Sequence, residues 1–273
     1  MLTRRFLVHL IAAAAICAIA VGACSSSGSP SAAGASTGAT ASSAPATGLK
    51  VYYEDNAQVE LIAPSGRRVL IDVWDPTALS APVTANDILL TTHLHSDHYV
   101  QSFVDSFPGQ KITDEEGQIS LSDVSIVSIP AAHDSDLKIV PTGGSDYIFV
   151  IDFDGFRIAH FGDLGQDKIN DDQLAKIGKV DIAFSQLSNS YSTMDAINQK
   201  GFDQMKQVKP LIFVPTHDSL DAATLAAKTW SATYSTKPMM VEHSQLPSDT
   251  TVVFMGSNAA SYATILKLQP SSW

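Results

Sequence analysis

His93-Leu94-His95-Ser96-Asp97-His98, the His-rich stretch (residues 93–98), decides the fold of this 273-residue chain. It holds three imidazoles and one carboxylate, although the whole chain contains only eight histidines. It follows the apolar run of residues 87–92, which predicts a buried strand, so the cluster lies on a strand-end loop. His93 and His95, two residues apart, point to the same side of an extended chain, whereas Asp97 and His98 follow the bend and face a second point. Imidazole nitrogens and carboxylate oxygens are ligands of Zn²⁺ and similar ions, so the stretch predicts a metal site.

Three further candidate ligands follow other predicted strands, because four residues are too few to complete two metal sites. His133 follows the strand predicted over residues 124–129. Asp163 follows the strand ending at residue 161, and His217 follows the strand of residues 211–214. Layered α/β folds gather functional groups at strand ends. A lone histidine there is more often a structural hydrogen-bonding residue, but together with the His-rich stretch these three become candidate metal ligands.

Apolar runs and turn residues divide the rest of the chain into short elements. Strands are predicted at residues 49–53, 58–62, 67–73, 124–129, 147–153, 156–161, 180–184, 211–214, 251–255 and 263–268, and helices at 166–177, 195–208 and 220–230. Strands dominate the first half and alternate with helices in the second. This order predicts an α/β domain whose strands pack in layers.

The His-rich stretch resembles the signature of the metallo-β-lactamase-fold hydrolases, and the resemblance covers residues 49–273. Residues 160–165, 191–196 and 214–217 resemble segments of one branch, the small hydrolases similar to ascorbate-6-phosphate lactonase. The resemblance implies an α/β fold of one domain, a four-layer αββα sandwich with two metals at one edge.

The resemblance also implies a role for each candidate residue. It implies one metal on His93, His95 and His133, a second on Asp97, His98 and His217, and Asp163 shared by both. Asp72 stands where the family has an acidic residue near the ligands, which implies that it orients a ligand histidine; a strand-end turn residue is the alternative. His160 is expected to be a core residue. All these ligands are nitrogen or oxygen, so Zn²⁺ is expected, with Mn²⁺ or Fe²⁺ as alternatives.

Two divalent ions about 3.5–4 Å apart lower the pKa of a shared water, so a hydroxide would be the nucleophile. Asp97 would hold one metal and assist proton transfer. The expected substrate is a small molecule with an ester, lactone, amide or phosphodiester bond. The sequence departs from the branch at residues 186–190 and at Asp218, both near the expected substrate site, so the substrate stays open.

Three alternative functions remain. A true metallo-β-lactamase generally lacks the bridging carboxylate that Asp163 would supply. A phospholipid-cleaving enzyme would suit a membrane tether. A non-catalytic metal-binding lipoprotein is a further alternative, against which the seven intact ligand positions argue.

The first 48 residues read as an export signal and a spacer. Residues 1–23 combine Arg4 and Arg5 with an apolar run, which is typical of a signal peptide. The run ends at Cys24 in a sequence that resembles a bacterial lipobox; a chance cysteine after an ordinary signal is the alternative. Residues 24–48 are almost entirely Ser, Ala, Gly, Thr and Pro, which predicts a flexible linker. We therefore expect an extracytoplasmic domain held at the bacterial cell membrane only by a lipid anchor, exported by the general or the twin-arginine route.

The acidic charge of the predicted domain argues against nucleic acid as a partner. Residues 49–273 carry 15 Lys and Arg against 28 Asp and Glu, a net charge of −13. Nucleic-acid binding relies on neutralising phosphates with basic side chains. The two cysteines, Cys17 and Cys24, both precede the domain, so no disulfide and no thiolate ligand is expected in it.

Overall fold

The structure, a computed structural model, describes residues 48–134 and 145–273. The predicted signal peptide, the lipidation candidate Cys24 and the linker up to residue 47 lie outside the described residues. Among the described residues, no helix combines the length and the apolar character needed to cross a membrane.

The described residues form short strands and helices in alternating order. The strands are β1 (Leu49–Tyr53), β2 (Val59–Ile62), β3 (Arg68–Ile71), β4 (Ile88–Thr91), β5 (Gln110–Thr113), β6 (Gln118–Ser120), β7 (Val124–Ala131), β8 (Asp146–Phe153), β9 (Phe156–His160), β10 (Ile182–Ser185), β11 (Ile212–Pro215), β12 (Ser231–Tyr234), β13 (Met239–Val241), β14 (Thr251–Phe254) and β15 (Gln269–Pro270). The helices are α1 (Gln101–Ser106), α2 (Asp171–Ile177), α3 (Lys200–Val208), α4 (Leu220–Thr229) and α5 (Ala259–Leu266).

These strands build two mixed sheets. The first has the order β13-β1-β2-β3-β4-β5, antiparallel up to β3 and parallel from β3 to β5. The second has the order β15-β12-β14-β11-β10-β9-β8-β7-β6. It is antiparallel from β6 to β9 and parallel from β9 to β15.

Three apolar clusters show how the layers stack. The largest cluster joins buried residues of both sheets, among them Val69 and Phe149. A second joins the other face of the second sheet to the helices, with Phe213 beside Ala226 of α4. A third places Val104 of α1 against the outer face of the first sheet. The layer order is therefore helix, sheet, sheet, helix, and the predicted αββα sandwich of one domain is confirmed.

Most predicted elements are present, but the last predicted strand is wrong. A strand is expected over residues 263–268, because Thr264 and Ile265 are β-branched. These residues belong instead to α5, in which Ala259 and Tyr262 are buried one helical turn apart and Ile265 is exposed. Burial of the Ala/Tyr face against the neighbouring layer outweighs the weak strand propensity of the exposed residues.

Two helices begin later than predicted, for a local reason in each case. α2 starts after Asn170, whose side chain accepts a hydrogen bond from Gln173 N in a capping box. α3 starts after a turn in which Asp195 Oδ1 accepts hydrogen bonds from the backbone N–H groups of Ile197 and Asn198. Side chains that bond their own backbone in this way compete with the first helical turn.

Candidate metal centre

Four strand ends at one edge of the sandwich deliver the seven candidate ligands. β4 leads into the His-rich stretch, β7 into His133, β9 into Asp163 and β11 into His217. β9, β10 and β11 are parallel, so their carboxyl ends meet at the same edge. Polar side chains that are distant in sequence therefore meet there.

The first group consists of His93, His95 and His133, each of which offers one ring nitrogen within 4.8 Å of the others. His93 Nε2 lies 3.1 Å from His95 Nδ1. The His133 ring centroid is 4.9 Å from that of His93 and 4.7 Å from that of His95. His133 Nε2 is buried and has no hydrogen-bond partner among the described residues. A buried imidazole lone pair without a partner suits a metal ion.

The second group consists of Asp97, His98 and His217, whose ligand atoms also lie within 4.8 Å of one another. The backbone turns after His95, whose carbonyl accepts hydrogen bonds from the N–H groups of His98 and Tyr99. This turn brings Asp97 and His98 to the second group, while the His98 ring centroid stays 4.0 Å from that of His93. His98 Nε2 lies 3.4 Å from His217 Nε2.

Asp163 lies between the two groups. Its Oδ1 is 3.4 Å from His98 Nε2 and 3.2 Å from His217 Nε2, while its Oδ2 is 3.5 Å from His133 Nε2. Asp163 Oδ1 is buried and, within the described part of the chain, forms no hydrogen bond. Three imidazoles surround the Asp163 carboxylate, but none is hydrogen-bonded to Oδ1, so that oxygen is available to a cation. The residues present therefore fit a pair of divalent ions.

Asp72 fixes the orientation of His98. Its Oδ2 accepts hydrogen bonds from His98 Nδ1 at 2.9 Å and Thr92 Oγ1 at 2.8 Å, and its Oδ1 accepts one from Thr92 N at 2.7 Å. This hydrogen bond to Nδ1 directs the other ring nitrogen of His98, Nε2, towards Asp163. Asp72 also follows directly on β3 and has a φ of +50°. The alternative interpretation, a turn residue at the end of a strand, therefore describes its backbone as well.

The electrostatics favour an ionised Asp163 and a neutral His93. Burial and the neighbouring His98 lower the pKa of His93 to about 4. Burial opposes ionisation of Asp163, but the surrounding His133, His217 and His98 outweigh it and hold its pKa well below the usual range. Neutral imidazoles and ionised carboxylates are the forms in which these side chains bind metals.

The match to a family model identifies the superfamily. Residues 50–217 match the model of the beta-lactamase superfamily domain. The chain belongs to the metallo-β-lactamase superfamily. The matched segment contains all seven candidate ligands, including the His-rich stretch that opens the site.

A solved structure from this superfamily shares the fold, and a second solved structure aligns more weakly. A proposed zinc-dependent hydrolase of the metallo-β-lactamase superfamily from Thermotoga maritima aligns with a TM-score of 0.57 and 19% identity, over 76% of this chain and 98% of that one. A proposed metal-dependent hydrolase from Parabacteroides distasonis aligns with a TM-score of 0.48 and 17% identity, over 75% of this chain and 92% of that one. No curated protein matches the sequence.

A cleft of about 410 Å³ opens beside the ligands of this metallo-β-lactamase fold, lined by His95, Ser96, Asp97, Asp163 and Tyr191. Tyr191 is 79% exposed. None of the described residues that line the cleft is Lys or Arg.

Sequence reasoning missed the residues that hold Asp163 in place. Asn189 Nδ2 donates to Asp163 Oδ2 at 2.7 Å, and Ser192 Oγ donates to the Asp163 carbonyl at 3.0 Å. Asn189 Oδ1 accepts from the N–H of Tyr191. In the sequence, residues 186–190 stand out only as a departure from the branch, because nothing in their pattern shows that they contact Asp163.

Asp146 was also missed. It is fully buried, its Oδ1 lies 3.3 Å from His93 Nδ1, and burial raises its pKa well above the usual range, helped by Asp163 and Asp72. In the sequence it is one acidic residue before an apolar strand, which is equally typical of a turn.

His160 lies in the core, as expected. It is fully buried, its Nε2 donates to the Ala57 carbonyl at 3.0 Å, and its Nδ1 accepts from Gly162 N at 3.2 Å. Both ring nitrogens are therefore engaged away from the candidate ligands.

Proposed function

We propose that the chain is an exported, membrane-tethered hydrolase that binds two divalent metal ions and cleaves a small ester, lactone, amide or phosphodiester. The position of Asp163 carries this proposal, because its two oxygens face different imidazole groups. A single carboxylate between two ligand sets allows two cations to lie close together by partly neutralising both.

The residues divide into two ligand sets that share one carboxylate. The first ion would be held by His93, His95 and His133. The second would be held by Asp97, His98 and His217, with Asp163 shared. Two bound ions supply Lewis acidity and an activated water in such sites. Zn²⁺ suits this set of nitrogen and oxygen ligands, with Mn²⁺ and Fe²⁺ as alternatives.

The chain's own residues orient the reactants and move protons. Asp97 lies half-buried in the cleft wall, where its carboxylate accepts a proton from the attacking water. Asn189 holds Asp163 in one orientation through its amide. Asp72 keeps the proton of His98 on Nδ1, so its Nε2 remains available as a ligand.

The composition of the cleft favours an uncharged substrate. A phosphate group is usually bound by Arg or Lys side chains as well as by metals. The described lining offers a tyrosine ring, a serine hydroxyl and acidic groups instead. A neutral ester, lactone or amide with an apolar group against Tyr191 fits this lining best. Within the superfamily, we propose that the chain is related to the small hydrolases similar to ascorbate-6-phosphate lactonase but acts on a substrate that carries no phosphate.

The first test is the metal content of the purified full chain, followed by assays against esters, lactones, amides, phosphodiesters, phospholipids and the β-lactam nitrocefin. We expect two metal ions per chain and activity on an uncharged bond. His95→Ala and Asp163→Ala should lose metal and activity together, since each removes a ligand. His243→Ala is the matched control, because His243 is an exposed histidine stacked on Phe156, away from the ligands.

The possible outcomes separate the alternatives. Full metal content in both ligand variants would refute the proposed site. Nitrocefin as the best substrate would identify a true metallo-β-lactamase, and phospholipid cleavage would identify a lipid-cleaving enzyme. Bound metal without activity on any class would favour a metal-binding lipoprotein.

We also propose that Cys24 carries the lipid that tethers the domain outside the cytoplasm. The proposal is supported by the lipobox-like sequence before Cys24 and the Ser/Ala-rich linker after it. In a bacterial host, Cys24→Ser should move the protein from the membrane fraction to the soluble extracytoplasmic fraction, and Cys17→Ser should not. Equal fractionation of Cys24→Ser and the unmodified chain would refute the lipid anchor. Because the domain is acidic, we do not expect it to bind nucleic acid, whether or not Cys24 carries a lipid.

A further inference from the structure

We infer that Asp146 is a positioning residue for the first metal, because it receives the Nδ1 proton of His93 and directs His93 Nε2 towards His95 and His133. This inference rests on the proposed metal site. It adds a residue that neither the His-rich stretch nor the family match assigns.

The position of Asp146 follows from strand pairing. Asp146 is the first residue of β8 and pairs with Ala131, the last residue of β7. Two residues beyond Ala131 lies His133, so the start of β8 borders the first ligand group. The side chain is 0% exposed, and within the described residues neither carboxylate oxygen forms a hydrogen bond.

A carboxylate buried in this way needs a partner. Burial of an unpaired polar or charged group costs several kcal/mol in free energy, so such groups are retained where something compensates them. The neighbouring side chain that can serve as this partner is His93, whose Nδ1 lies 3.3 Å from Asp146 Oδ1. An imidazole that binds a cation through Nε2 carries its proton on Nδ1, and the cation strengthens that N–H as a donor. Metal binding would therefore complete the hydrogen bond that Asp146 lacks.

Thr92 is the other neighbour of the same nitrogen. Its Oγ1 lies 3.1 Å from His93 Nδ1, but it donates its own proton to Asp72 Oδ2 at 2.8 Å. The hydroxyl therefore faces His93 as an acceptor too. His93 Nδ1 therefore has two neighbouring acceptors, a neutral hydroxyl and an acid, and of these two only Asp146 can become a carboxylate that stabilises a metal-polarised imidazole.

The second ligand group contains the same arrangement. Asp72, also 0% exposed, accepts a hydrogen bond from His98 Nδ1 at 2.9 Å. His93 and His98 are the two most buried histidines among the proposed ligands, with exposures of 3% and 0%. Each group thus has one deeply buried imidazole backed by a buried aspartate, which fixes which ring nitrogen faces the cation.

Gly162 provides the space that this arrangement needs. A Cβ at position 162 would collide with Asp146 Oδ1 and approach Thr92 Cβ to 2.8 Å. The backbone at Gly162 has a φ of +52°, which L-residues rarely adopt. The loop from β9 to Asp163 therefore passes Asp146 without displacing its carboxylate from His93.

The test measures Zn²⁺ affinity by competition with a chelator, using the full chain and Asp146→Asn. We expect Asp146→Asn to weaken the first site by about 10–100-fold, because an amide cannot stabilise the polarised imidazole as a carboxylate does. The melting temperature of the metal-free protein should stay the same or rise, since the variant removes an unpaired buried acid. A purely structural role would instead lower that melting temperature. Asp152→Asn, an exposed carboxylate on the same strand, is the matched control and should leave the affinity unchanged.

Two variants, each lacking a ligand of one ion, show which ion loses affinity when Asp146→Asn is added. In His217→Ala, which lacks a ligand of the second ion, adding Asp146→Asn should still weaken the remaining site. In His133→Ala, which lacks a ligand of the first ion, adding it should leave the remaining site unchanged. An equal effect in both backgrounds would overturn the assignment of Asp146 to the first metal.

The failures of the two proposals can be told apart. If the unmodified chain binds no metal, the proposed function fails. If it binds two ions and Asp146→Asn binds them equally well, only this inference fails. Should Asp146→Asn not fold, ¹⁵N NMR of the imidazoles in the unmodified zinc-loaded protein decides. A proton on His93 Nδ1 supports the inference, and a bare Nδ1 overturns it.

Discussion

Asp163 and Tyr191 are linked by one short turn, although they have different parts in the site. Asn189 donates through its amide to Asp163 Oδ2 and accepts the backbone N–H of Tyr191 with its Oδ1. Lys200 Nζ adds bonds to the carbonyls of Gly165 and Ser192, which join both sides of the turn. The exposed Tyr191 ring is therefore carried by a turn fixed to the proposed bridging carboxylate. Such a preorganised ring can bind an apolar substrate group at low entropic cost.

Replacing Tyr191 by Ala should raise KM about 10-fold, which corresponds to about 1–1.5 kcal/mol of lost aromatic contact. The metal content should remain unchanged, because neither candidate group of His and Asp ligands depends on Tyr191. Steady-state kinetics on the substrate found in the panel provides the measurement.

Two variants serve as controls for Tyr191→Ala. Tyr191→Phe keeps the ring and should retain KM if the contact is apolar. Ile197→Ala removes another exposed side chain of the same segment that does not line the cleft, and it should have no effect. An unchanged KM in Tyr191→Ala would exclude Tyr191 from substrate binding.

At the scale of elements, a buried ion network ties the strands of the first sheet that lead to the His-rich stretch. Arg68 of β3 binds Glu60 of β2 at 2.8 Å and Asp87, just before β4, at 2.5 Å. It also donates to the carbonyls of Ala81 and Pro82. All three charged side chains are nearly inaccessible, so each depends on the others for compensation.

Arg68→Met should destabilise the fold by about 3–5 kcal/mol, since it leaves two buried carboxylates without their partner. Urea denaturation followed by circular dichroism gives the free energy of unfolding. Arg67→Met is the control, because Arg67 pairs with Asp123 at the surface and such pairs contribute about 0–1 kcal/mol. Equal effects of the two substitutions would contradict this account of the network.

The elements also show where sequence patterns are sufficient. β1, β3, β4 and β8 are predicted within a few residues, because buried strands have continuous or alternating apolar runs. The sequence of α5 predicts a strand because it contains β-branched residues. Those residues are on the outer face of the helix, so they say nothing about the face that is buried. α1 goes unpredicted, since its six residues are too few for a helical period to emerge.

At the scale of the whole molecule, three buried acidic groups lie together at one edge of the sandwich. Asp72, Asp146 and Asp163 are all at most 2% exposed and converge on the candidate ligand histidines. The neighbouring histidines already offset the burial of Asp72 and Asp163, and cations that bind only this folded arrangement would add to that stabilisation. Metal binding should therefore contribute to the stability of the entire domain.

Zn²⁺ at 100 times its Kd should stabilise the metal-free chain by about 2.7 kcal/mol. For a domain of this size, that corresponds to a rise in melting temperature of roughly 5–11 °C. Differential scanning calorimetry before and after chelation measures the shift. Asp163→Ala should show a smaller rise, and Mg²⁺ at the same concentration provides a control for ionic strength. An identical melting temperature with and without Zn²⁺ would contradict a site formed by folding.

The sequence by itself determined the candidate ligand types, the resemblance to the superfamily and most strands, because these depend on a short motif and on apolar runs. The residue types from His93 to His98 were enough to predict metal chemistry, and Asp163 suggested a shared carboxylate. Only the tertiary structure decided that Asp163 faces both imidazole groups, that Asn189 holds it, and that Asp146 lies behind His93. Those contacts join residues from different strand ends across two sheets. Their distances depend on how the layers pack, which no local pattern along the chain encodes.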